Sequence, residues 1–168
     1  MNNRTYPEVF YNVVEIIRGT TVDGPGFRTA IYLAGCHHNC EGCHNPLTHN
    51  PGVGNRMSLS DIMDIVIQED FNVTITGGDP LFFPEKLRTL VHFLKENRRD
   101  VWIYTGYTWE EIMQQPSLAD AIKEADVLVD GRFEISLRDP DLRFKGSSNQ
   151  RIINIPESLS LNKIVLKE

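Results

Sequence analysis

The chain has 168 residues, 40% hydrophobic and 24% charged, with a formal net charge of −6. That length suits one domain with its own core, and no apolar run approaches the roughly 20 residues of a membrane span. The acidic balance argues against a general nucleic-acid binder, whose affinity comes largely from cations on phosphates.

The amino terminus, MNNRTYPEVFYNVV, has no basic stretch followed by an apolar one, so no secretory signal is read there and a cytoplasmic setting is expected. Residues 28–34 (RTAIYLA) read as a strand running into a cysteine-bearing loop. In 58–70, Ser58 and Asp61 have the spacing of a capping box, and Ile62, Ile65 and Val66 share a face, which predicts a helix. Residues 72–76 (NVTIT) read as a second strand. Pro84 opens a helix in which Leu87, Leu90, Val91 and Leu94 recur at i, i+3, i+4 and i+7. A third strand is read at 101–105. Thr108 and Glu111 cap a short helix, Pro116 interrupts it, and Leu118, Ala121, Ile122 and Ala125 mark another. A fourth strand follows at 127–130, and 151–155 and 163–166 are β-like. The alternation predicts an α/β fold with a mainly parallel sheet and right-handed crossovers, one domain over 1–168.

Each of the four strands runs into a glycine-bearing turn, at 35–36, 77–80, 105–107 and 130–133. In parallel α/β folds the carboxyl ends of the strands share one rim, where ligands bind. The cysteine loop and the glycine turns are therefore expected to face one pocket.

All three cysteines, Cys36, Cys40 and Cys43, fall in the stretch CHHNCEGC. Their spacing would align on a helix, but Gly35, Gly42 and the Asn45–Pro46 pair disfavour one. An odd, clustered set is a poor disulfide framework and points to metal. Two thiolates about 6 Å apart repel by about 3 kcal/mol at an effective dielectric near 20, so gathering three calls for a cation. Two options stand. Zinc would add one of His37, His38, His44 or His49, giving a zinc-stabilised interaction domain. A four-iron four-sulfur cluster would keep one iron without a protein ligand, the open position a catalytic metal needs. The glycine rim favours the cluster, because a purely structural zinc site needs no facing pocket.

Cys-x3-Cys-x2-Cys, followed about 35 residues later by the strand-borne GGDP, resembles the radical S-adenosylmethionine (radical SAM) enzymes. The resemblance implies a partial (β/α) barrel in which Cys36, Cys40 and Cys43 hold the catalytic 4Fe-4S cluster. The methionine part of S-adenosylmethionine chelates the open iron. Thr76, Gly77, Gly78 and Asp79 correspond to the motif that meets its amino group, although Asp79 equally reads as a cap for a helix after Pro80. Many members carry an aromatic residue before the third cysteine, where this chain has Gly42. Tyr104, Thr105 and Gly106 lie on the rim as candidate cofactor contacts. Asp130, with Gly131 and Arg132, either joins them or holds an internal ion pair.

The stretch TVDGPGFRTAIYLAGC (21–36) resembles the glycyl-radical-enzyme activases, and 127–133 and 143–155 match their small branch, which serves anaerobic (class III) ribonucleotide reductase. The implied partners are the reductase large subunit as protein substrate and a flavodoxin-like electron donor. The implied chemistry is reductive cleavage of S-adenosylmethionine to a 5′-deoxyadenosyl radical, which takes a hydrogen atom from a glycine of the reductase. Another glycyl radical enzyme is the alternative acceptor. Asp23, Gly24, Pro25, Gly26 and Arg28 read as the entrance for the partner's glycine loop or as a turn leading into a strand. Residues 146–151 read as a docking loop or an exposed turn.

Overall fold

Among the described residues seven strands make the frame, and the four in the middle are those that the short apolar runs predict. The structure is a computed structural model describing residues 5–167. The strands are β1 (Phe10–Thr20), β2 (Arg28–Leu33), β3 (Asn55–Ser58), β4 (Asn72–Gly77), β5 (Val101–Tyr104), β6 (Val127–Asp130) and β7 (Arg151–Asn154). They form one sheet in the order β3-β1-β2-β4-β5-β6-β7. The β2–β4, β4–β5 and β5–β6 pairs are parallel, whereas β1 and β3 on one edge and β7 on the other run antiparallel to their neighbours. The α/β fold with a mainly parallel sheet is present, open at β3 and β7 rather than closed into a barrel.

The helices α1 (Leu59–Glu69), α2 (Pro84–Glu96), α3 (Trp109–Met113) and α4 (Pro116–Ile122) fill the crossovers. Their starts follow local chemistry. Ser58 Oγ accepts from Asp61 N–H at 3.1 Å while Asp61 accepts from Ser58 N–H at 3.0 Å, and Thr108 and Glu111 repeat that box at α3. Pro84 and Pro116 sit in the first turns of α2 and α4, where no N–H partner is missed. The apolar stripes of these helices close on one face of the sheet. Leu59, Ile62, Leu87, Leu90, Leu94, Ile112 and Ile122 pack there against Ile31, Ile75, Ile103 and Leu128.

The opposite face carries the alternate residues of the same strands, as pleating requires. Trp102, Val127 and Val129 make a small cluster with Tyr104, Phe144 and Ile152. Arg28 lies buried at the foot of the sheet, 1% exposed. Its Nε donates to Thr74 Oγ1 at 2.8 Å and its Nη2 to Val73 O at 2.7 Å, with Asp100 Oδ1 at 2.9 Å.

Four elements differ from the sequence reading. The first and third strands, β1 and β3, were not anticipated. The run at 151–155 is strand only to Asn154, whose Oδ1 accepts from Glu157 N–H at 3.1 Å and starts α5 (Ile155–Leu161). At 163–166 there is a single bridge, Ile153 with Leu166, instead of a strand. No helix among the described residues is long and apolar enough to cross a membrane.

Candidate cluster and cofactor site

The cysteine loop leaves the carboxyl end of β2 through Gly35, whose φ of +105° favours glycine and whose Cβ, if present, would stand 2.7 Å from the Phe82 ring. Gly35 N–H donates to Thr48 O at 2.7 Å and Cys36 N–H to His49 O at 3.2 Å, so the loop is docked onto the 46–49 turn by its own backbone. Cys36, Cys40 and Cys43 are half-buried free thiols. Burial pushes the Cys36 thiol up; a hydrogen bond from His38 N–H opposes this, and Asp79, Cys40 and Cys43 add to it. Burial likewise raises Cys40, against a backbone hydrogen bond from Phe133 and with a further push from Cys43. Cys36 and Cys40, held back from ionising first by burial and then by neighbouring negative charge, become good ligands only with a cation beside them.

They open onto a cleft of about 1160 Å³ including its mouth. Thr76, Gly78, Tyr104, Thr105 and Gly106 from the ends of β4 and β5 line it, together with Asp23. The facing wall is Gly131, Phe133, Phe144, Lys145 and Gln150. The shared rim thus brings the cysteine loop and the β4 and β5 turns together. Gly77 has φ +115°, and a Cβ there would lie 2.3 Å from Leu33 N and O. One at Gly78 would lie 2.4 Å from Gly35 O. The glycine pair is what lets the β4 turn hydrogen-bond the β2 exit, Gly78 N–H to Leu33 O at 2.8 Å and Asp79 N–H to Gly35 O at 2.7 Å.

The remaining expected site residues have partners of their own. Asp79 is 2% exposed; it caps the turn after Pro80 by accepting from Leu81 N–H at 2.9 Å. Asp130 is 1% exposed and takes the ion-pair role, accepting from Arg151 Nε at 3.0 Å and from Trp109 N–H at 2.7 Å. Arg28 is a strut inside the sheet and has no face at the entrance. Asp23 does face the cleft, accepting from Thr20 Oγ1 at 2.9 Å and Tyr32 OH at 3.3 Å. Gly24 is buried against the Arg28 side chain, while Pro25 and Gly26 are exposed.

The donor set fits an iron–sulfur cluster. Three soft thiols line a cleft with room for more than one ion. Among the described residues no three His, Cys, Asp or Glu side chains are placed to hold a single metal ion. Three of the histidines weighed for zinc are engaged with other groups: His37 stacks on Phe82 at 4.2 Å, His44 tilts on Phe133 at 6.1 Å, and His38 meets Asp79 at 2.6 Å. His49 Nε2 lies 3.4 Å from Cys43 Sγ, within reach of a ligand sulfur.

The family described as "4Fe-4S single cluster domain" matches residues 22–153. The "Anaerobic ribonucleoside-triphosphate reductase-activating protein" of Pasteurella multocida is 34% identical over 153 residues, 84% of this chain and 96% of its own length. The chain belongs to this activating-protein family. Members of the same name from Enterobacteria phage T4 and Escherichia coli K12 are each 34% identical, over 78% and 77% of this chain and 86% and 89% of their own. The fold is shared with QueE from Escherichia coli, at a TM-score of 0.52 and 17% identity over 72% of this chain and 70% of that one.

Sequence reasoning placed the 130–133 turn on the rim, and Gly131 and Phe133 do line the cleft, but it overlooked Phe144 and Lys145, because nothing local marks 134–145 as folding back over it. It weighed His38 only as a metal ligand and not as a partner of Asp79, 41 residues on.

Proposed function

We propose that this protein is the activating enzyme of anaerobic ribonucleoside-triphosphate reductase, working in the cytoplasm as one radical SAM domain. The observation that carries the proposal is the convergence of Cys36, Cys40 and Cys43 with the Thr76–Gly78 and Tyr104–Gly106 turns on a single open cleft. Cys36, Cys40 and Cys43 would hold a 4Fe-4S cluster beside the cleft that they line. When bound, the cluster and S-adenosylmethionine supply one-electron cleavage of a sulfonium and removal of a hydrogen atom from a glycine of the reductase.

The chain's own residues bind, orient and exclude water. Thr76 and the glycine backbone border the region beside the thiols, where acceptors suit an ammonium. Tyr104 and Gly106 extend that border along β5. Tyr104 OH donates to Phe144 O at 2.8 Å, which pins the far wall over the sheet. Phe133 and Phe144 give that wall an apolar surface that keeps water from a reactive centre. Asp23, on its exposed loop, stands where a glycine-bearing segment of a large partner would enter, with Gly24, Pro25 and Gly26 setting the loop's course. The electron comes from a low-potential donor of the flavodoxin kind.

The test is iron and sulfide quantification of anoxically prepared protein, followed by cofactor cleavage with a reductant. Iron and sulfide in near-equal amounts, formation of 5′-deoxyadenosine, and a glycyl doublet in electron paramagnetic resonance on adding the reductase large subunit are expected. About one zinc per chain and no sulfide would overturn the reading.

A further inference from the structure

The Asp79 carboxylate is already full. An ionised carboxylate has about four lone-pair positions, and four donors surround this one. Leu81 N–H lies 2.9 Å from Oδ1, Gly106 N–H 2.9 Å from Oδ2, and His38 Nε2 2.6 Å from Oδ2. Thr105 Oγ1 sits 2.9 and 2.8 Å from the two oxygens. The 2.6 Å contact between His38 Nε2 and Asp79 Oδ2 is a hydrogen bond, with the donor assigned to the imidazole N–H. The histidine side chain is 5% exposed, its ring is edge-on to Tyr107 at 4.6 Å, and a Cβ on Gly106 would stand 2.4 Å from it. These contacts join three segments that are distant in sequence: the cysteine loop, the β4 turn and the β5 turn.

We propose that His38 and Asp79 are positioning residues, a latch that fixes the cysteine loop in register with the β4 and β5 turns. In this arrangement Asp79 does not receive the cofactor's amino group itself; other acceptors of the rim do. His38 leaves the loop between two of the thiols, so its bond to Asp79 sets how those thiols stand relative to the turns that hold the cofactor. A buried, multiply bonded carboxylate resists rotation, which makes it a better anchor than a direct ligand. The latch rests on the reading of the cleft as the S-adenosylmethionine site.

The test compares H38F, which keeps a ring beside Tyr107 but has no N–H, with H38Q, whose amide donates from nearly the same place. Reconstituted, reduced parent and variants are titrated with S-adenosylmethionine, the Kd being read from the change in the cluster's paramagnetic signal. Cluster-free proteins are followed by amide hydrogen exchange across 36–43 and 105–107. H38F is expected to raise Kd about tenfold, the worth of one hydrogen bond to a charged group, and to speed exchange in both segments. H38Q restores both to near the parent. Parent-like affinity in H38F overturns the latch, and so does equal behaviour of H38F and H38Q, which a merely structural histidine would give. If H38F does not fold, T105V removes another donor at constant size, and an unchanged Kd there overturns the proposal. A parent that gives no response to the cofactor overturns the site reading and the latch with it; a parent that responds beside an unaffected H38F overturns the latch alone.

Discussion

Two buried aspartates stand at the carboxyl ends of β4 and β6, and they do opposite work. Asp79 is held by a histidine, a threonine and backbone N–H groups from three loops around the cleft. Asp130 is held by the Arg151 guanidinium, which also reaches Glu110 at 2.8 Å, and by Trp109 N–H at the start of α3. The first ties parts of the site to one another. The second ties an edge strand and a helix to the sheet, away from the thiols. Residue type and burial are the same, and both lie at the carboxyl end of a parallel strand, so none of these decides a role; the partners do.

The sharpest break between the two ends comes at the thiols beside β4. Replacing Cys36, Cys40 or Cys43 by Ala is expected to remove 5′-deoxyadenosine formation down to background and to lower bound iron, measured by chromatography and metal analysis. The next effect belongs to Gly77→Ala. A left-handed residue with its Cβ against the Leu33 backbone should cost about 3 kcal/mol in urea unfolding, from strain plus overpacking. On the β6 side, Asp130→Ala leaves Arg151 partly buried without its main partner. Because Arg151 is about one-third exposed, the expected loss is about 2 kcal/mol, with cofactor Kd unchanged; a shifted Kd would erase the contrast between the two ends. Smallest is Glu110→Gln. The Arg151 guanidinium holds the Glu110 carboxyl down at about 2, against 4.5 ordinarily. A depressed folded value means the stabilisation is complete above about pH 4.5 and lost as pH falls towards 2. At this exposed pair it is worth about 0.5 kcal/mol at neutral pH, so the gap between parent and variant in acid unfolding should close across that window.

The central strands were legible because each is a short apolar run bounded by glycine or polar turns, and the helices because their caps and stripes are local. The strand β1 was not. Its alternation is broken by register irregularities near Val13–Glu15 and Arg18–Thr20, so no period survives along Phe10–Thr20. The strand β3 is four mostly polar residues that need β1 beside them. In the site, the cysteines announce themselves by spacing alone. The His38–Asp79 contact spans 41 residues and Arg28 reaches Thr74 and Val73, 46 and 45 residues on. Such partners meet only once the crossovers are built, and so a mobile-looking Asp-Gly-Pro-Gly stretch concealed a structural arginine.

Gly42 carries a consequence for anyone redesigning the pocket. Its φ is +71°, and a side chain there would start 2.6 Å from Ile135 Cδ1. Grafting in the ring that many similar enzymes place at this point is therefore a two-position transplant. Ile135, half exposed, must be trimmed in the same step, and the backbone at 42 must relax out of its left-handed bend, or the newcomer will pry the far wall off the thiols that it was meant to serve.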